Sequence, residues 1–369
     1  MFFNINKIKS FFCTNIINTI YNSSNNIDEN VEVARENKYD NLRGLAIILV
    51  VLGHLIPPFY GINSAHFIYN LVFVFHMPLF FFISGYFSRV SLDAPIKAFK
   101  RLFIPYIFFS ILWMLFNYFV LNFSSDRIPF FNPEYGLWFL LSLFIMRFML
   151  PILSKIRYIF WIALLIALFV GVYDFPKNFL GLTRTFCFLP IFLFGYNFEN
   201  YKKIFQDKII PKFKFIRFFN GKKIVFTILI LFLIIVGVNV YGIPSDASQF
   251  VLSYHSMHMG NKIGIIQRTF IILSGIIISL LLCFVMTNRK MFLTKIGINS
   301  LAVYILHFYF TRFINVKIIP QLPGDFNDLI FWAYAIITTS VIVFILSRDT
   351  LTKLINKTME TISNKLLGI

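Results

Sequence analysis

Charge is scarce in this chain. Only 14% of its 369 residues are Asp, Glu, Lys or Arg, where an average soluble domain has about a quarter. The shortage is mostly acidic, with 16 Asp and Glu against 34 Lys and Arg. That deficit, together with 58% hydrophobic residues and a mean hydropathy of +0.76, excludes an ordinary soluble enzyme. Cysteine is also rare. Cys13, Cys187 and Cys283 lie far apart, the last two inside apolar runs, so neither a disulfide framework nor a zinc site is signalled and all three read as structural. A signal peptide is lacking: in residues 1–37 the apolar positions Phe2, Phe3, Ile5, Ile8, Phe11 and Phe12 are broken by Asn, Lys and Ser, with no small-residue cleavage site after them. This segment reads as a cytoplasmic tail, either loose or an interfacial amphipathic helix. Internal repeats, low-complexity tracts and a Gly-x-Ser-x-Gly nucleophile turn are missing as well.

What is present is a series of apolar runs long enough for membrane helices, each of which needs about 20 residues to cross a hydrocarbon core of about 30 Å. Ten such runs are expected to form helices: Leu45–Tyr60, Phe67–Phe87, Phe103–Phe123, Gly136–Leu153 and Tyr158–Tyr173, then Phe179–Phe198, Ile224–Tyr241, Ile265–Met286, Asn299–Phe313 and Leu329–Leu346. The fold class is therefore all-α, a polytopic membrane protein. With the N-terminus inside, 27 of the 34 basic residues fall on cytoplasmic segments, so both termini are expected in the cytoplasm. The excess of positive charge is explained by this topology and by anionic lipid headgroups, and no nucleic-acid partner is needed. Domain organisation follows: residues 1–37 a tail, 38–348 one membrane domain, 349–369 a second cytoplasmic tail. The lipid bilayer is the one certain partner, and a homo-oligomer is allowed.

Ionisable groups inside a membrane helix are costly and usually face the bundle interior, so each is a functional candidate. Arg43 and His54 are eleven residues apart in the first run. Eleven residues is nearly three turns, so both share one helix face, about 16 Å apart along the axis. The second run returns, and His76, nine residues after Phe67, reaches a depth similar to that of His54. Two imidazoles can then meet in one cavity. Histidine titrates near neutral pH and can take a proton from a hydroxyl; the competing reading is helix-to-helix packing. Pro78, two residues after His76, is expected to bend its helix and free backbone groups to line the cavity.

Further candidates carry two readings each. Arg184 either stabilises an oxyanion or snorkels to the interface. Ser300, Tyr304 and His307 fall on one stripe at i, i+4 and i+7, extending a polar cavity or making packing hydrogen bonds. Glu134 and Trp138 suit sugar hydroxyls and sugar faces, although interfacial tryptophan is common. His255 and His258 have only Asp246 nearby, so no metal site is expected. The outer segment Gly242–Gly264, the longest on its side, is the expected selector of the acceptor.

The stretch Tyr39-Asp40-Asn41-Leu42-Arg43-Gly44 through Gly53-His54, with Phe75-His76-Met77-Pro78 through Ser84-Gly85, resembles the acyltransferase family 3 membrane proteins. The subgroup it is similar to is the sugar O-acetylases related to fucose 4-O-acetylase. Tyr135–Leu140, Arg184–Pro190 and Ile296–His307 agree, and the likeness runs from Tyr39 to about Leu346. The resemblance implies transfer of an acyl group, usually acetyl, from cytoplasmic acetyl-CoA or another acyl-CoA to a hydroxyl of a cell-surface polysaccharide or lipid-linked sugar, in the bacterial cytoplasmic membrane. No permanently bound cofactor is implied. Arg43 and His54 match the essential pair of the family, with His76 as a further catalytic candidate. The family's arginine-rich element after the second helix is matched in part by Lys97, Lys100 and Arg101, which either hold donor phosphates or are ordinary cytoplasmic charge. Physically, donor phosphates would dock near Arg43, Lys100 and Arg101 with the thioester reaching His54. Direct attack by the sugar hydroxyl is favoured over a serine acyl-enzyme; an acyl-histidine intermediate stays open. The alternative is a proton-coupled transporter or glycan exporter, but no second copy of the Arg43–His54 pattern appears in the latter half.

Overall fold

A computed structural model of the chain describes residues 36–123, 130–174, 179–204, 221–241, 245–322 and 326–367. Most of the N-terminal tail, Cys13, and the centre of the basic loop before residue 221 lie outside the described residues. Among the described residues every regular element is helical. The long helices are α1 (Asn37–Leu55), α2 (Asn63–Tyr86), α3 (Ala94–Phe119), α4 (Tyr135–Leu153), α5 (Ile159–Phe169), α6 (Phe179–Tyr196), α7 (Lys222–Tyr241) and α8 (Asn261–Val285). After the short α9 (Phe292–Ile298) come α10 (Ser300–Phe313), α11 (Asp328–Leu346) and α12 (Asp349–Leu367).

All ten apolar runs coincide with helices, and eight are long and apolar enough to cross a membrane. The other two are α1, which carries Lys38, Asp40 and Arg43 in its first turns, and α5, whose 11 residues rise only about 16 Å. The protein is thus an all-α, multi-pass membrane protein. Expected boundaries shift where local chemistry decides. Helix α1 begins at Asn37, eight residues before its apolar run, and it stops at Leu55 because Pro57 and Pro58 have no backbone N–H to continue it. The segment after Arg348, read as a tail, forms the 19-residue helix α12.

Buried on most sides, α1 packs against α2, α9, α10 and α11, while α2 packs against α6, α7 and α8. Water does not drive helices together inside a bilayer, so close backbone approach and polar contacts take that role. Two glycine pairs provide the approach. A methyl group on Gly44 would sit 2.2 Å from the Leu293 carbonyl oxygen, and one on Gly297 1.7 Å from that of Asp40. Gly85 and Gly195 do the same for α2 and α6, against Phe192 and Phe82. Polar bonds then fix register: the Asn41 amide donates to the carbonyls of Thr287 and Arg289 at 3.0 Å each, and Thr294 Oγ1 donates to Asn41 Oδ1 at 2.6 Å.

These contacts define two ends of the bundle. At the basic end lie Asn37, Tyr86 (stacked on Tyr39 at 4.6 Å), the start of α3, Asn299 and α12. At the opposite end, Phe59 meets Phe326 at 4.9 Å and Leu180 N donates to Phe131 O at 2.6 Å. Around the periphery large apolar side chains point outward, such as Leu231, Ile234, Ile235 and Val238 of α7, as a helix facing lipid requires.

Candidate active site

A cavity of about 270 Å³ lies inside the bundle between α1, α2, α4, α6 and α10, and the short helix Ser245–Gln249 also contributes to its wall. Its polar lining includes His54, Tyr69, His76, Tyr135, Arg184, Gln249 and Tyr304, set among Phe73, Trp138 and Phe188. Apolar walls with a few convergent polar groups are the usual build of a small-molecule site.

His54 sits in the last turn of α1 with three rings around it. Tyr135 stacks on it at 5.7 Å between centroids, His307 lies at 5.1 Å and Phe73 presents its edge at 6.5 Å. The backbone of His54 is held too. Four residues on is Pro58, which cannot donate, so the His54 carbonyl accepts instead from Asn315 Nδ2 at 2.9 Å. Asn315 reaches it from a π-turn, Ile314–Ile318, that follows α10, and π-turns recur at functional positions. Tyr135 adopts φ +48°, an unfavourable value for a residue with a side chain. Its hydroxyl accepts from Arg312 Nη1 at 3.0 Å. Strain accepted at the residue stacked on His54 marks that residue as positioned with purpose.

His76 is buried and shares the cavity with His54, as the depth argument anticipated. Its Nδ1 donates to the Val72 carbonyl at 2.7 Å and its ring meets Phe73 at 4.7 Å, so Phe73 packs against both histidines. The imidazole in direct ring contact with His54 is therefore His307. His307 Nδ1 donates to the Tyr304 carbonyl at 2.7 Å, and its Nε2 is enclosed without a hydrogen-bond partner. Tyr304 hydroxyl donates to the Gly136 carbonyl. Ser300, one turn lower on α10, is not part of the cavity wall.

Arg184 points into the cavity: its guanidinium lies over the Trp138 ring at 4.6 Å, and its Nε donates to the Gln249 carbonyl at 3.2 Å. Gln249 in turn donates to Tyr69 hydroxyl at 2.8 Å. Trp138 lines the cavity, whereas Glu134 is occupied by Trp113 Nε1 at 3.0 Å and is absent from the wall. The expected opening of backbone at Pro78 goes elsewhere: Pro78 and the Val74 carbonyl, to which its ring has no N–H to donate, face Gly275 of α8. The short helix within the segment 242–264 supplies Ser248 and Gln249 to the cavity. His255 pairs with Asp174 at 3.6 Å, not with Asp246, and no group of three or more His, Cys, Asp or Glu is placed to hold a metal among the described residues. The Asp174 carboxyl is held below the usual carboxylate range by the hydroxyls of Ser253 and Ser256.

At the basic end a second feature appears. Arg43 Nη1 donates to Asp40 Oδ1 at 3.2 Å and its guanidinium lies over Phe87 at 4.9 Å. Arg43 and Arg101 both lie close enough to Arg147 of α4 to repel it, and Arg147 Nε is enclosed with no hydrogen-bond partner. Three arginines from α1, α3 and α4 thus converge. Arg101 and Lys100 sit on a π-turn, Phe99–Phe103, and Lys97 pairs with Asp93 at 3.5 Å.

Sequence reasoning counted Arg147 only as basic-side charge. Its signal was a lone arginine inside Leu143–Leu150, which deserved the same weight as Arg43. Tyr69, Tyr135, Gln249, Arg312 and Asn315 had no signal of spacing, because distant segments bring them to His54. The family model described as an acyltransferase domain matches residues 36–348 of the chain. No curated protein and no solved structure matches it.

Proposed function

The chain belongs to the family of that acyltransferase domain, and from this premise we propose that it moves an acyl group, in the simplest case acetyl, from acyl-CoA to a hydroxyl of a surface polysaccharide or lipid-linked sugar. The observation that carries the reading is the cavity lined by His54 and Arg184, in which the His54 ring is clamped among Tyr135, His307 and Phe73. The reading places the protein in a bacterial cytoplasmic membrane with its basic end in the cytoplasm, in keeping with the distribution of Lys and Arg.

In this mechanism the donor enters from the basic end. Its phosphates meet Arg43, Arg101 and Arg147, whose like charges act on one another and so favour a multiply charged anion. The arm runs along α1 toward His54, about 16 Å from Arg43. The acceptor sugar enters from the opposite end, against Trp138 and Tyr135, whose ring faces suit a sugar. His54 takes the proton of the acceptor hydroxyl as its oxygen bonds to the thioester carbonyl carbon. Arg184 stabilises the resulting oxyanion. Collapse of the tetrahedral species breaks the carbon–sulfur bond, and the thiolate of CoA leaves with the proton returned from His54. His76 and His307 hold the base in place, and the sugar O-acetylase subgroup is the acceptor class we assign.

The test is transfer of radiolabelled acetyl from acetyl-CoA into extractable surface glycan by membranes carrying wild type or His54→Ala at matched expression. Label that depends on His54 supports the proposal. Absence of CoA-dependent label with both proteins, using acetyl and succinyl donors and a confirmed acceptor, overturns it.

A further inference from the structure

Arg268 stands apart from Arg184 and from the arginines of the basic end. It lies on α8, is 3% exposed, and does not line the His54 cavity. A guanidinium buried among membrane helices is costly and is kept for what it holds. What Arg268 holds is a turn of chain. Its Nη1 donates to the Ala167 carbonyl near the end of α5 at 3.2 Å, and its Nη2 to the Leu252 carbonyl at 3.3 Å. Its face lies over the Tyr254 ring at 4.6 Å and the Phe250 ring at 5.6 Å. Two carbonyls and two rings at once require the planar fork of arginine.

The same turn is tied to the chain after α5. Tyr254 N donates to the Gly171 carbonyl and the Tyr254 hydroxyl to the Leu168 carbonyl, both at 2.7 Å. A methyl group on Gly171 would sit 2.5 Å from Arg268 Nη1, and one on Gly264 2.2 Å from the Tyr254 ring, so the stack fills space that only glycine leaves. Phe250, buried at the start of the turn, adopts φ +55°. That backbone is unfavourable for a residue with a side chain and persists only where its surroundings impose it.

The turn continues directly into the cavity wall. Ser248 and Gln249 line the cavity, and the Phe250 ring packs edge-on against Phe188, another lining residue, at 5.1 Å. The Gln249 carbonyl accepts from Arg184, and its amide donates to Tyr69. The segment joins the end of α7 to the start of α8, at the end of the bundle opposite the basic one, where the acceptor enters. Arg268 grips the chain at Leu252, three residues beyond Gln249. We propose, on the acyl-transfer reading above, that Arg268 is a positioning residue: it seats 245–254 so that Ser248 and Gln249 shape the acceptor side of the cavity, and it acts on the acceptor through Gln249 without touching it.

Arg268→Met keeps an unbranched chain in the site and removes the fork. Hydrogen exchange of the full-length protein in detergent reads the seat directly: amides of 247–254 are expected to exchange roughly tenfold faster, with those of α1 unchanged. In transfer from acetyl-CoA to the host's extracted surface glycan, KM for the glycan is expected to rise roughly tenfold while KM for acetyl-CoA stays. A merely structural arginine would lower the amount of active enzyme, and with it the apparent kcat, leaving both KM values alone. That result overturns the proposal, as do unchanged exchange or equal rises in both KM values. Should Arg268→Met fail to fold, Tyr254→Phe deletes only the hydroxyl bond to Leu168; KM for the glycan is then expected to rise about threefold, and no rise overturns the proposal. Were the wild type to transfer no acetyl, the acyltransferase reading would fall while exchange would still decide Arg268: faster exchange in 247–254 retains its hold on the cavity wall, and unchanged exchange sinks it.

Discussion

The cavity around His54 and the recess of about 660 Å³ lined by Lys97, Lys100, Arg101 and α12 share α10 yet are made of opposite materials. The cavity is walled by stacked rings and by groups whose hydrogen bonds are already fixed: His76 to Val72, Arg184 to Gln249, Gln249 to Tyr69. The recess is walled by long flexible cations and by a terminal helix. The contrast follows from what each has to do. Chemistry needs groups held to within a fraction of an ångström before the substrate arrives, because reorganisation during reaction costs rate. Holding phosphates tolerates mobile charges.

Substitutions can sharpen or break that contrast. The largest expected effect is from His54→Ala, which should lower kcat about 10³-fold with little change in KM for acetyl-CoA, read by radiolabel transfer. Next is Gly297→Ala at the crossing of α9 with α1. Its new methyl would meet the Asp40 carbonyl at 1.7 Å, which is backbone and cannot yield, so a loss of about 2–3 kcal/mol is expected in thermal unfolding of the detergent-solubilised protein. Helix α10 contributes to both linings and packs on α1, so both should weaken together; a fall in one alone would show that they are mechanically independent. His307→Phe should preserve packing and lower kcat about tenfold to hundredfold, because the ring against His54 loses its enclosed Nε2. An unchanged kcat would demote His307 to packing.

Arg147→Met comes lower in the order, with an expected rise in KM for acetyl-CoA of roughly tenfold and kcat retained. A kcat effect without a KM effect would move Arg147 from the donor side to the chemistry. Smallest is Asp174→Asn, at a residue that lines neither site. The carboxyl of Asp174 is depressed by Ser253 and Ser256, so its contribution is present above about pH 4 and lost as pH falls through the lowered folded value. The variant should erase that acid-limb change in thermal stability and leave transfer at neutral pH unaltered.

Legibility tracked the range over which the physics acts. The apolar runs, the Arg43–His54 face and the level of His76 follow from helical geometry alone, and the cavity contains both histidines. Trp138, Arg184 and Tyr304 also line it, whereas Glu134 is taken by Trp113 and Ser300 lies outside the wall. Neither exclusion had a local cause: the Trp113 indole comes from another helix, and the placement of α10 against α1 is a contact between segments far apart in the chain. For α12 the opposite applied, since a polar-sided 19-residue segment is readable as amphipathic but not as the wall of anything.

The sequence by itself determined that this protein is a helical bundle in a membrane, which end is basic, and that an arginine and a histidine share one helix face, because hydropathy and the 3.6-residue period act within single segments. Only the tertiary structure decided that His307 is the imidazole beside His54, that Arg147 joins Arg43 and Arg101, and that α12 closes the recess. Those outcomes depend on how helices far apart in the chain are rotated and slid against one another, and that is settled by side-chain volumes and polar bonds at their crossings.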